Sequence, residues 1–336
     1  MQSNILRSQQ QQLVNAKGHV AAQPPRLSVP STTSRRGVLA SADSKGKINI
    51  IPNNGRDEGR SFGGIPPVMG GHLMPSDIVM HFPQDGLKQG LTRKVLEAAE
   101  AAIAQRGAFT LVLSGGSLPN LLSGLVDPKQ AAGAAFDKWY VMYVDERNVP
   151  HDHPDSTHKA VREALLSKVG IPPENIIAIA ENTPVEQAAI NYEGRMIGLP
   201  PTVLPRNEAN FPVCDLILLG LGPDGHIASL FPNHPALAIT DRWIAPVSNS
   251  PKPPPERITF TLPVINAAKE VIVVAGGESK AEIVQRVLEV QALPGALPAQ
   301  LVRPKTGKLY WYLDVASVTK LNISNWDNSK AFPRST

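Results

Sequence analysis

The chain has 336 residues, 42% of them hydrophobic, enough to bury a sizeable core, and its 33 Lys or Arg against 29 Asp or Glu give a formal net charge of +4. The excess is local: residues 1–50 hold seven basic residues against one acid, Asp43, while the remainder holds 26 basic and 28 acidic residues. The body is therefore not basic, which removes the main support for a nucleic-acid function, and no apolar run reaches the ~18 residues of a membrane helix.

Residues 1–50 are rich in Gln, Ser, Arg and Ala and lack the hydrophobic core of a secretory signal. That is the composition of an organelle transit peptide, with plastid ahead of mitochondrion or cytosol as the expected destination and Arg35 to Ser41 as the candidate processing region. The Gly- and Pro-rich stretch through residue 75 reads as a linker. A single folded domain is expected over 76–321, between a disordered N-terminal extension and a loose tail at 322–336.

Ile78 to Phe82 is a short strand candidate, and Lys88 to Arg106 places apolar residues at helical spacing. Phe109 to Leu113 is β-branched and apolar and stops at Ser114-Gly115-Gly116-Ser117. Leu118-Pro119 follows as the first turn of a helix, where proline is tolerated. Strand, glycine turn and helix start form an anion site, with backbone N–H groups and the Ser114 and Ser117 hydroxyls converging on a phosphate.

Trp139 to Val144 is the next strand and runs into Asp145-Glu146-Arg147. Alternation puts Asp145 and Arg147 on one side, facing a cleft, and Glu146 on the other. His151, His153 and His158 look like metal ligands, but Pro154 breaks their spacing and no helix face collects them. They read instead as a loop leading into a helix at 157–168, capped by Ser156 or Asp155. A further helix spans about 185–197. Cys214 is the only cysteine, which excludes an intramolecular disulfide and a Cys-based zinc site; no basic group flanks it, so it reads as a buried apolar residue.

Leu216 to Leu219 is a continuous apolar run, the signature of a parallel strand covered on both faces. The tight turn Gly220-Leu221-Gly222-Pro223-Asp224-Gly225-His226 follows, setting a titratable pair at a strand's carboxyl end, where open α/β sheets bind ligands. The same glycines spell G-x-G-x-x-G. Asp224 would oppose a pyrophosphate and Pro223 lacks an amide, so the dinucleotide reading fails. Beyond a weak strand at 243–247 and a Pro-rich loop at 248–256, Arg257 begins a new ordered element. Glu270 to Ala275 is a buried strand, followed by Gly276-Gly277-Glu278-Ser279-Lys280 and a helix through Val290. Lys280 in the first helical turn opposes the helix dipole, a conflict that a bound anion would remove. Tyr310 to Leu313 is the last strand. The alternation describes a doubly wound α/β domain with a mostly parallel sheet.

The motifs LSGGSLP, YVDERNVPHDHPDS, LLGLGPDGHIASLFP, PPERITFTLPVINAAKEVIVVAGGESKAEI and LPAQLV, in that order over about residues 76–318, closely resemble the 6-phosphogluconolactonases of the glucosamine-6-phosphate isomerase/6-phosphogluconolactonase family. The resemblance implies the NagB/RpiA-like fold and hydrolysis of a sugar-phosphate lactone without a cofactor; no metal is expected, and a monomer or homodimer with no nucleic-acid or membrane partner is the expected form. It also implies that His226 is the general base, that Asp145 and Arg147 line the cleft, and that Ser114, Gly115, Gly116, Ser117, Arg257 and Lys280 bind the substrate phosphate. Asp224 or Asp145 would orient the catalytic ring or the substrate hydroxyls. In the related deaminase-isomerases the motif after DGH-I-A resembles F-N-E-P, which supplies an acid for ring opening. Here that position is Phe231, which cannot shuttle a proton, so the lactonase reading is preferred over a deaminase, and retention of both Asp224 and His226 argues against a non-catalytic sugar-phosphate sensor.

Overall fold

A computed structural model describes residues 78–82, 86–290 and 297–322. The expected targeting segment, the linker, and residues 323–336 of the expected tail lie outside them. In chain order the elements are β1 (Ile78–Phe82), α1 (Gly86–Arg106), β2 (Phe109–Leu113), β3 (Trp139–Tyr143), β4 (Asp145–Arg147), α2 (Thr157–Ala164), β5 (Ile176–Ile177), α3 (Val185–Ile197), β6 (Leu216–Gly220), β7 (Ile244–Val247), β8 (Arg257–Phe260), α4 (Leu262–Ala267), β9 (Glu270–Ala275), α5 (Ala281–Glu289) and β10 (Lys308–Asp314).

Seven strands form a parallel sheet in the order β1-β10-β9-β6-β2-β3-β5. Both of its faces are covered, so its central strands are apolar throughout. Along β6, Ile217 and Leu219 enter one core cluster while Leu216 and Leu218 enter the other, and all four are fully buried. The doubly wound parallel sheet expected from the sequence is therefore present. The strand order places the ligand edge. From β2 the chain moves outward to β3 and β5, then returns to β6 on the other side of β2 and continues to β9 and β10. Connections leaving β2 and β6 thus diverge, opening a crevice at their carboxyl ends.

Three local expectations change. Leu118–Val126 is a 3-10 segment kinked at Leu122 rather than an α-helix. The helix expected at 157–168 is α-helical only to Ala164, turns out of helical geometry at Leu165 and resumes as one 3-10 turn. Lys280 closes a 3-10 turn and stands at the N-cap of α5, one position before the helix proper. A second, antiparallel sheet of order β4-β8-β7 also forms, with Asp145 opposite Thr259 and Arg147 opposite Arg257. Its strands have three or four residues, so although a weak strand at 243–247 is expected from the sequence, their pairing into a second sheet is not.

Candidate active site

Ser114 fastens the two strands that part at the crevice. Its amide and its hydroxyl both donate to the Leu218 carbonyl at 3.1 Å, and its Oγ accepts from the Gly220 amide at 3.2 Å. The β2 and β6 loops therefore enter the crevice from a common anchor. Together with β4, β8 and the turn before α5 they enclose a cavity of about 450 Å³. Ser114, Gly115, Gly116, Ser117, Asp145, Arg147, His226, Arg257 and Lys280 all line it. Asp224 does not; it stands behind the His226 ring.

The turn that carries His226 depends on two glycines. Gly225 has φ +80°, which L side chains rarely adopt, and a Cβ on Gly222 would overlap the His226 ring. The Gly222 amide donates to the His226 carbonyl at 2.8 Å, closing the turn. No α-helix follows: Ile227 and Leu230 form a bridge, and the next helical residues begin at Pro235. The glycine spacing thus lacks the helix N-terminus on which a dinucleotide pyrophosphate would rest.

His226 Nδ1 is bonded to Asp224 Oδ1. That bond holds the tautomer in which Nδ1 carries the proton and Nε2 carries the lone pair, the form a general base requires. Burial lowers the His226 pKa and outweighs the opposing pull of Asp224, so the ring is neutral at neutral pH. For Asp224, burial alone would raise the carboxyl, but the His226 bond and charge and a bond from Lys252 outweigh it and bring the group to about 2. The Phe231 ring lies 4.7 Å from that of His226 and is itself buried, so no acid occupies that side.

On β4, alternation works as expected. Glu146 turns away and accepts from the amides of Thr157 (2.7 Å) and His158 (2.6 Å), tying the strand to the start of α2, where Ser156 caps by accepting from the Lys159 amide. Asp145 and Arg147 face the cavity. Asp145 Oδ2 accepts from the Ser229 hydroxyl at 2.7 Å. Arg147 donates through one terminal nitrogen to the Asp155 carbonyl at 2.7 Å, while its buried Nε has no partner. A buried guanidinium N–H without a partner in a polar cleft is a donor still available to a ligand.

Arg257 is placed differently from its neighbour. Only 3% exposed, it donates to the carbonyls of Lys252, Pro253 and Pro254 at 2.9–3.0 Å and to Ser229 Oγ at 3.3 Å. Four of its five N–H groups are thereby committed to protein. Burial, and then the nearby Arg147 charge, lower its pKa. Lys280 Nζ donates to the Leu221 carbonyl at 2.6 Å, holding the β6 loop; burial and the charge of Lys252 lower its pKa. The histidines of the 151–158 loop are engaged elsewhere: His151 Nε2 with the Ile179 carbonyl, His153 with the Asp155 amide, and His158 with the Tyr143 hydroxyl. Cys214 is fully buried, and burial pushes its thiol up.

Lys88, Asp314 and Lys252 escaped the reading of the residues. Lys88 and Asp314 line the cavity from the first turn of α1 and the end of β10. Lys252 reaches Asp224 from the Pro-rich loop. The signal available for Lys252 was a lone cation within SPKPPP, ahead of Glu256 and Arg257.

Fold and site together define an open α/β protein with a polar, histidine-containing cleft at its topological switch point, of a size that suits a small molecule. The family described as glucosamine-6-phosphate isomerases/6-phosphogluconolactonase matches residues 83–311. A probable 6-phosphogluconolactonase 1 of Arabidopsis thaliana is 44% identical over 256 residues, covering 75% of this chain and 96% of its own. A probable chloroplastic 6-phosphogluconolactonase 3 of Oryza sativa subsp. indica is 40% identical over 242 residues, covering 71% and 74%. The structure of 6-phosphogluconolactonase from Trypanosoma brucei superposes with a TM-score of 0.60 at 29% identity, covering 72% of this chain and 96% of that one. The chain belongs to the glucosamine-6-phosphate isomerase/6-phosphogluconolactonase family.

Proposed function

We propose that this protein hydrolyses 6-phosphoglucono-δ-lactone to 6-phosphogluconate, with His226 as general base. One observation carries the chemistry: Asp224 holds His226 Nδ1, leaving a neutral Nε2 on a ring that lines the cavity. Family membership supports the substrate.

A water in the cleft gives its proton to Nε2 as its oxygen bonds to the lactone carbonyl carbon. Arg147 and loop amides stabilise the oxyanion that forms. On collapse the bond between that carbon and the ring oxygen breaks, and the imidazolium returns its proton to the ring oxygen, leaving a carboxylic acid and a free hydroxyl. Gly115 to Ser117 and Lys280 hold the phosphate, helped by the one N–H that Arg257 keeps free, while Ser114, expected as a phosphate ligand, anchors that loop because its amide and hydroxyl both donate to the Leu218 carbonyl; this binding positions the lactone carbonyl. Asp145 orients the substrate hydroxyls, its own orientation set by Ser229. Phe231 beside the base, where the deaminase motif supplies an acid, favours lactone hydrolysis over ring opening and deamination.

The test is proton release from freshly generated lactone, above the spontaneous rate. His226→Gln should lower kcat by about 10²–10⁴ with the fold intact; wild-type turnover by that variant would refute the assignment. For location, we propose plastid import directed by residues 1–50, supported by their composition and by the chloroplastic relative. A reporter fused behind residues 1–75 that stayed in the cytosol would count against it.

A further inference from the structure

The loop between β7 and β8 is constructed around one lysine. Ser250 Oγ donates to the Lys252 carbonyl at 2.8 Å and accepts from the Lys252 amide at 3.2 Å, and the Ser250 amide donates to the Pro255 carbonyl at 3.0 Å. From the other side Arg257 grips the Lys252 carbonyl at 2.9 Å along with those of Pro253 and Pro254. A buried guanidinium used in this way fixes a backbone that proline alone would not place, since Pro restricts φ but leaves ψ free. The side chain rising from that backbone sets its Nζ 3.2 Å from Asp224 Oδ1 and 3.2 Å from His226 Nδ1.

We propose that Lys252 is a positioning residue for the general base: it locks the Asp224 carboxylate onto His226 Nδ1 and opposes protonation of the ring. This rests on the reading of His226 as base. Nδ1 already presents its proton to Asp224, so it has no lone pair for the ammonium. Lys252 therefore acts on the ring as a nearby positive charge and on Asp224 as a hydrogen-bond donor.

The charged groups facing the ring are few: Asp224 from its own turn, Lys252 from this loop and Asp145 from β4. Lys280, Arg147 and Arg257 lie further along the same cleft. With Asp224 alone, a half-buried histidine beside a carboxylate would be drawn toward its charged form and lose its lone pair. Lys252 offsets that pull. The same charge assists the second half of the reaction, because an imidazolium facing an ammonium is a stronger acid toward the departing ring oxygen. The lysine does not line the cavity, so it acts through Asp224 and His226 and not on the substrate phosphate.

The test compares Lys252→Met, which keeps length without charge, with Lys252→Arg in the full chain. The readout is kcat/KM for the lactone from pH about 5 to 8.5, corrected for spontaneous hydrolysis. Lys252→Met should displace the acid limb to higher pH, lowering kcat/KM about three- to tenfold below pH about 6 but less than about twofold above pH about 8. Lys252→Arg should restore the wild-type limb. A loss equal at every pH would make Lys252 merely structural, and no change at all would show that it does not act on the base; either overturns the proposal. The side chain is 38% exposed, so folding should survive. Lys252→Gln serves as a second uncharged variant, and unfolding of both would also overturn the proposal. His226→Gln in parallel separates the two readings: if it retains activity the base assignment fails, whereas an inactive His226→Gln beside an unshifted Lys252→Met rejects only the role of Lys252.

Discussion

Gly222→Ala puts the catalytic geometry to the sharpest test, because the added methyl has nowhere to go. Its Cβ would overlap Nδ1 and Cε1 of the His226 ring, while the turn that fixes both residues is held by the Gly222 amide on the His226 carbonyl. The backbone cannot retreat without opening that turn, so the ring must swing away by about 1 Å or more, and a misplacement of that size costs about 10²-fold in rate. Losing the Asp224 bond as well removes the hold on the Nδ1–H tautomer, which brings the expected fall in kcat to about 10²–10³. The proposed phosphate loop follows β2, away from the added methyl, so KM should move by less than about threefold. Initial-rate lactonase assays and a thermal melt would check this, with the melting temperature expected within a few degrees of wild type. Near-wild-type kcat in a folded Gly222→Ala protein would show that the reaction does not depend on the ring position described.

Lys280→Ala should raise KM for the phosphorylated lactone more than it lowers kcat, and an unchanged KM would remove Lys280 from the phosphate site. Asp215→Asn should destabilise the fold without touching the chemistry. Asp215 is 3% exposed and accepts from both terminal nitrogens of Arg106 (2.9 and 2.6 Å) and from the Thr110 amide and hydroxyl (2.9 Å each), with Lys269 at 3.1 Å. Leaving those cations facing an amide should cost about 3 kcal/mol in urea unfolding, with kcat preserved at low temperature; an unchanged midpoint would contradict it.

Local chemistry in the chain determined the parallel strands and the residues at their ends. Leu216 to Leu219 is apolar without alternation because both sheet faces are covered, and the glycines at 220, 222 and 225 permit only a turn, which places Asp224 and His226 at a strand end. Alternation across Asp145, Glu146 and Arg147 likewise assigned two side chains to the cleft and one to the structure. What those patterns cannot carry is the pairing of distant segments. Burial periodicity reports which residues face inward, not which strand lies beside which, so the divergence of β2 and β6 that opens the crevice emerged only from the sheet order. The family resemblance makes Arg257 a phosphate ligand, yet tertiary structure spends most of its donors on the carbonyls of residues 252–254. Lys252 stands out in sequence only as a cation among prolines and gains its place beside Asp224, 28 positions earlier, only because that buried guanidinium sets the loop. Hydrogen bonds between segments far apart in the chain leave no local signature, and here they decide how His226 and Asp224 are held.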